Sequence, residues 1–208
     1  MGDIRDQETA EIAFRASLTG HLVFSTLHTN SAVSSVARLL NIGLEPYLIS
    51  SSVSLLVAQR LVRLICSSCK HQYVPENEIL SKFKGYLRHY RNQKFFKGEG
   101  CEQCNFTGFY GRTSIFEILR IDDKIKDLIF HKASEALILK QALNNGMKTL
   151  VDSGISKVLA GLTTLEEVAK VTEISEEKEA AAGLMDHLDQ IVSQSSVHPE
   201  KRSFYIEN

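Results

Sequence analysis

No stretch of the 208 residues approaches the ~18 consecutive apolar residues that a membrane-spanning helix needs. The nearest, Leu48 to Ala58, is broken by four serines. Neither sign of charge prevails, since 24 Lys+Arg stand against 25 Asp+Glu for a net charge of −1. Bulk electrostatics therefore select no particular partner. The start of the chain lacks the charged segment and apolar stretch of a secretory signal, and no internal repeat occurs. With these classes set aside, 43% apolar and 24% charged residues fit a soluble globular chain of one ordinary domain or two small ones. A reducing cytosol is the expected setting, and there four cysteines point to metal before disulfides.

"MGDIRDQETA" gathers Asp3, Arg5 and Asp6 just ahead of an amphipathic run. Such clusters sit at the ends of core strands, yet no strand precedes this one. Asp6 is an expected N-cap, with Glu8 in the first turn, for a helix from Gln7 to about Leu18 that stops at Gly20. "HLVFSTL" (21–27) reads as a buried strand. A helix capped by Asn30 and ended by Gly43 is expected next, then one opened by Pro46 and running to about Ala58. "QRLVRLI" (59–65) is a further expected strand. This alternation argues for a parallel α/β layer. Beyond a cysteine-bounded insertion, "GRTSIFEILRI" restores strand character, and helices are expected at 123–131, 134–145, 149–160 and 164–171. In the polar tail, Ala181, Leu184, Met185, Leu188, Ile191 and Val192 share a helical face. That face would dock on the chain's own body or on a partner.

"CSSC" and "CEQC" place Cys66, Cys69, Cys101 and Cys104 in two C-x2-C pairs separated by 31 residues. Two such pairs complete a tetrahedral zinc site with no open position, which implies a structural role. The alternatives are a relic site or two redox dithiols. His71 would be a fifth ligand and is read as a neighbour instead. Between the pairs, "SKFKGYLRHYRNQKFFK" carries six Lys/Arg and no acid, with Phe83, Tyr86, Leu87 and Tyr90 on one helical face. The favoured reading packs the aromatics on the zinc knuckle with the bases solvated. The competing one is a surface for nucleic acid or acidic lipid.

Ligands of open α/β sheets bind beyond the carboxyl ends of strands. "HLVFSTLHTN" sets Ser25, Thr26, His28, Thr29 and Asn30 at such an end, beside an expected helix N-terminus suited to phosphate. Asn30 as a plain cap and His28 as an ordinary surface histidine stand equally beside that reading.

In order, "GDIRDQETAEIAFRASLTGHLVFSTLHTNSA", "QRLVRLICSSCK", "GCEQCNFTGFYGRTSIFEIL" and "GMKTLVDSGISKVLAGLTTLEEVAKVT" resemble the ATPases of type II secretion (general secretory pathway protein E) and type IV pilus assembly. The resemblance covers residues 2 to about 172. It implies an α/β, RecA-like P-loop NTPase in part, within a cytoplasmic hexameric motor that works at the inner membrane, coupling ATP hydrolysis to assembly of a pilus or pseudopilus. "GDIRD" then corresponds to the Walker B end, with Asp3 where the family usually has a glutamate that supports Mg²⁺ and the attacking water. "TGHLVFSTLHTN" corresponds to the His box, in which His28, with His21 as the second candidate, would respond to the γ-phosphate. Arg5, Asp6, Ser25 and Thr26 would lie near the nucleotide. The cysteine pairs match the metal-binding subdomain.

The sequence G-x-x-x-x-G-K-[ST], whose backbone N–H groups and lysine cradle phosphates, does not occur in the 208 residues. The expectation is a C-terminal part of a motor subunit that does not hydrolyse ATP alone, with ATP and Mg²⁺ bound only in a complete motor. Its expected partners are motor subunits in a homo- or hetero-hexamer or a separately encoded N-terminal half, together with inner-membrane platform proteins and no nucleic acid. The expected organisation is 1–65 as the remainder of the RecA-like domain, 66–108 as the zinc subdomain, 109–172 as a returning strand with a helical subdomain, and 173–208 as a tail. A non-hydrolytic interaction or regulatory module is the alternative, and a zinc-ribbon nucleic-acid-binding protein the third reading.

Overall fold

Asp6 opens the first helix as a capping side chain should, its carboxylate accepting the Thr9 N–H at 2.8 Å. This computed structural model describes residues 2–88 and 93–174, so Tyr90 and the tail stripe from Ala181 to Val192 lie outside the described residues. The described elements are α1 Gln7–Leu18, α2 Ser34–Asn41, α3 Pro46–Ser52, β1 Leu55–Ile65, β2 Lys70–Tyr73, α4 Asn77–Lys82, β3 Phe95–Gly98, a 3₁₀ turn Glu102–Cys104, β4 Phe109–Arg120, α5 Asp123–Phe130, α6 Glu135–Asn144, α7 Leu150–Leu159 and α8 Leu165–Val171.

The last four helices agree with the sequence because each begins at a side-chain cap: Asp122, Ser134, Thr149 and Thr164. Thr149 and Asp152 close a capping box at the start of α7.

Four expectations about secondary structure need correction. Residues 21–27 form no strand: among the described residues their pairing is a single parallel bridge, Asp3 to Thr26. A strand needs a laddered neighbour, and here Leu22 and Phe24 remain 83% and 76% exposed. Secondly, α2 begins at Ser34 and not after Asn30. The Ser31 hydroxyl accepts the Ser34 N–H at 3.0 Å, while the Asn30 amide reaches Glu173. Thirdly, α3 stops at Ser52 and β1 takes over from Leu55. Ser50 and Ser51 hydroxyls bond back to the Tyr47 carbonyl, a competitor of helix propagation, and Leu56 and Val57 find cross-strand partners in Leu119 and Ile118. Lastly, the ladders among the described residues are antiparallel, β1 with β4 and β2 with β3, and the Asp3–Thr26 bridge is the parallel element.

β1 and β4 form the long hairpin around which the rest is arranged, paired from Leu55–Arg120 to Arg63–Arg112. Period-two alternation turns Ala58, Val62, Ile115, Glu117 and Leu119 inward. The apolar members of this face join Ala10, Phe14, Val33, Val36, Leu39, Ile49, Ile125 and Ile129 in one core.

A second core joins Phe83 and Tyr86 to Val151, Ile155, Val158, Leu165 and Val168. Phe83 and Tyr86 of the basic segment thus pack on α7 and α8 and not on the cysteine knuckle. Nor do they extend α4, which ends at Lys82. Between α7 and α8 the approach is close at Gly154, where an added Cβ would meet Val168 Cγ1 at 2.5 Å. Gly154→Ala should therefore lower stability by about 1 kcal/mol in denaturant titration, because an overpacking cost of about 1–3 kcal/mol exceeds the ~1 kcal/mol gain in helix propensity.

The two cores are joined by an ion pair whose carboxylate is buried and whose guanidinium side chain is 43% exposed. Arg63 grips Glu167 through Nε at 2.8 Å and Nη2 at 2.6 Å, and Lys170 adds 2.8 Å to the same carboxylate. The Arg63 guanidinium also lies 4.1 Å from the Phe109 ring centre. Arg63 first, with Lys170 assisting against burial, holds the Glu167 carboxyl at about 2, below its ordinary 4.5. The stability this carboxylate contributes is present above pH 4.5 and is lost as pH falls toward 2. Glu167→Gln should flatten the pH dependence of the denaturant midpoint across that window.

Candidate functional site

Two constellations stand out. The first lies where the hairpin gives way to the small β2–β3 sheet. Cys66 and Cys69 follow β1, Cys101 caps and Cys104 ends the 3₁₀ turn before β4, and their four sulfur atoms all lie within 4.8 Å of one another. The separations are 3.9 Å for Cys66–Cys101, 3.9 Å for Cys69–Cys104 and 3.7 Å for Cys101–Cys104. Four thiolates about 2.3 Å from a tetrahedral ion would stand about 3.8 Å apart, so the set fits a metal of that size. A disulfide would need about 2.05 Å.

Backbone N–H groups meet two of the four sulfurs. The Gly100 N–H points at Cys69 Sγ at 3.3 Å and the Cys101 N–H at Cys104 Sγ at 3.2 Å. Gly98 and Gly108 let two backbones touch, since a Cβ on Gly98 would sit 2.2 Å from the Gly108 carbonyl oxygen. That carbonyl accepts the Cys66 N–H at 2.9 Å. His71 turns its ring toward the Cys69 carbonyl and Glu99 and stays out of the sulfur set. Among the described residues, this is the one group of three or more His, Cys, Asp or Glu placed to hold a metal ion.

The second constellation surrounds the Asp3–Thr26 bridge. The Ile4 N–H donates to the Thr26 carbonyl at 2.9 Å, which sets Asp3 beside the 25–28 segment. Arg5 Nε donates to Asp3 Oδ2 at 2.7 Å, His28 Nε2 lies 2.9 Å from that oxygen, and the Thr26 hydroxyl donates to Oδ1 at 3.1 Å. Arg5 foremost, then Thr26 and His28 against a burial penalty, holds the Asp3 carboxyl below its usual range. The Asp3 side chain is 18% exposed, whereas those of Arg5 and His28 are 73% and 81% exposed. The arrangement is an ionised carboxylate beside an open rim of donors, Arg5, Thr26 and His28.

The structure thus brings together Asp3, Arg5, Thr26 and His28. The Ser25 hydroxyl donates to the Gly2 carbonyl alongside them. Asp6 is spent on capping α1. His21 stands apart, its Nδ1 3.2 Å from the Ala16 carbonyl at the end of α1.

Sequence reasoning missed the groups behind this rim, Arg60 on β1 and Glu117 on β4. Arg60 Nη2 donates to the Thr29 and Asn30 carbonyls at 3.2 Å each. Glu117, 4% exposed, accepts the Ala32 N–H at 2.8 Å. Both help line a cleft of about 400 Å³ with Ser31, Thr149 and Lys170. A signal existed: both are charged residues at inward positions of alternating strands.

Residues 1–170 match the family described as Type II/IV secretion system protein. The chain is 47% identical over 173 residues to Type II secretion system protein E of Dickeya dadantii, covering 83% of this chain and 34% of that protein. It is 45% identical over 168 residues to the type IV pilus assembly ATPase PilB of Thermus thermophilus, covering 81% of this chain and 19% of that protein. The chain therefore spans about a third or less of the length of these relatives. Among solved structures, it resembles the pilus retraction motor PilT with bound ADP at a TM-score of 0.56 and 24% identity, over 85% of this chain and 39% of that one. The Legionella pneumophila ATPase DotB gives 0.52 at 17% identity, over 82% and 37%. These likenesses show the fold, a portion of a RecA-like P-loop NTPase.

Cys101→Ser should reduce bound metal from one equivalent per chain to a small fraction, read by elemental analysis. In the parent protein, Co²⁺ should give the intense visible spectrum of a tetrahedral four-thiolate site.

Proposed function

Because the chain belongs to the type II/IV secretion system protein family, we propose that it is a C-terminal part of a motor ATPase that drives type II secretion or type IV pilus assembly. The observation that carries this reading is the Asp3–Thr26–His28 cluster, which holds an ionised carboxylate and an exposed imidazole on one oxygen at a bridge between two loops. In the assembled motor, Asp3 would support Mg²⁺ and the attacking water, and His28 would answer to the terminal phosphate. Arg5 and Thr26 would steady Asp3, and Ser25 would tie the 25–28 segment to the Gly2 carbonyl. His21 and Asp6 take lesser parts, His21 as a secondary histidine and Asp6 as the cap that aims α1.

ATP with Mg²⁺ would supply the phosphoryl chemistry. The cradle for its phosphates, G-x-x-x-x-G-K-[ST], is not among the 208 residues. A working motor needs that cradle at this site, and the proposed partners are motor subunits in a homo- or hetero-hexamer or an N-terminal half that bears it. Zinc on Cys66, Cys69, Cys101 and Cys104 would be structural, as a filled thiolate shell leaves no place for water. Residues 1–65 form the RecA-like remainder, 66–108 the zinc subdomain, 109–172 the returning strand and helical subdomain, and 173–208 a tail. The place of work is the cytoplasm or the inner-membrane surface, against platform proteins. Among the described residues no helix is long and apolar enough to cross a membrane.

One observation favours a second reading, a non-hydrolytic module that binds or regulates such a motor. Asp3 Oδ2 is engaged by both Arg5 and His28, and the aspartate is one methylene shorter than the glutamate usual at this place. Against the nucleic-acid reading, Phe83 and Tyr86 are buried in the second core and offer no face for stacking bases.

The deciding experiment mixes the purified chain with a P-loop-bearing N-terminal half. The motor reading expects no turnover by the chain alone and ATPase activity on mixing, reduced at least ~100-fold by Asp3→Ala or His28→Ala. Binding of the half without turnover would favour the regulatory module.

A further inference from the structure

We propose that Glu117 is a positioning residue that couples the loop after His28 to the N-terminus of α7. It sits on the inward face of β4, opposite Ala58 of β1. One carboxylate oxygen accepts the Ala32 N–H at 2.8 Å, and the other accepts the Leu150 N–H at 3.4 Å. Ala32 lies just before α2 and Leu150 is the first residue of α7, so a single side chain answers two helix beginnings from one buried point.

Burying a carboxylate is costly unless its oxygens find donors, and Glu117 is 4% exposed. Its two donors come from segments 85 and 33 residues away, which makes each contact depend on the position of the other segment. Arg60, the inward neighbour on β1, holds the same loop by its opposite polarity, through the Thr29 and Asn30 carbonyls. Residues 29–32 are therefore clamped to the hairpin at three backbone groups, immediately after His28.

A shift of α7 along its axis would strain or release the Glu117–Leu150 contact and pass through the carboxylate to Ala32. Within the motor reading, on which this role rests, the position of the C-terminal helices would thus reach the His28 loop without a direct contact between them.

The test uses the 208-residue chain without nucleotide. Thr149→Ala removes the capping box at the start of α7, and amide hydrogen exchange is read at Ala32. The expected result is an increase of roughly 3–10-fold in the parent background and little or none when Glu117→Gln is already present. Exchange at Val62, in the middle of the hairpin, should not move in either. An equal increase in both backgrounds, or none in the parent, overturns the role. If Glu117→Gln does not fold, the Thr149→Ala response at Ala32 in the parent alone decides. In a mixture with a P-loop-bearing half, Glu117→Gln should lower kcat with little change in KM. No turnover by the unmutated mixture would sink the motor reading and leave the exchange result standing.

Discussion

The antiparallel register of β1 against β4 is the constraint from which the other parts take their places. Ten pairings, from Leu55–Arg120 to Ile65–Phe109, fix which side chains face inward. A slip by one residue would send Ala58, Val62, Ile115 and Leu119 to solvent and bring Val57, Leu61, Phe116 and Ile118 into the core. The same register sets Arg60 and Glu117 beneath the 29–32 loop and Arg63 beside Glu167. Sheet pairing, core formation and the placement of charge are consequences of one alignment.

Much of the molecule was legible beforehand, and the pattern of success has a physical reason. The four C-terminal helices and α1 carry their own start signals in short capping side chains, and the cysteine knuckle in its spacing. Local chemistry decides these features. Residues 21–27 had the right composition for a strand, but strand formation depends on a neighbour that composition does not reveal. The change from helix to strand at Ser52–Leu55 likewise hinged on cross-strand partners more than sixty positions away. Asp3, Thr26 and His28 were singled out from motif resemblance, and their meeting follows from one bridge. Glu117 escaped notice because a glutamate in a strand usually faces water.

Charge in this chain is nearly balanced overall, yet it is concentrated at joints. Asp3 holds the first two loops together, Glu117 the hairpin with two helices, and Glu167 the hairpin with α8. Each carboxylate receives donors from a distant segment, and each lies less exposed than the cations around it. Cations supply donors to Asp3 and Glu167, whereas Glu117 receives two backbone N–H groups.

The four-cysteine knuckle also shapes the chain between its pairs. It brings Cys69 and Cys101 together, so the 31 residues between them are closed at their ends, and closure entropy grows only logarithmically with length. Doubling such a loop costs roughly 0.6 kcal/mol. Length variation should accumulate there over evolutionary time, leaving the strands at its base unchanged.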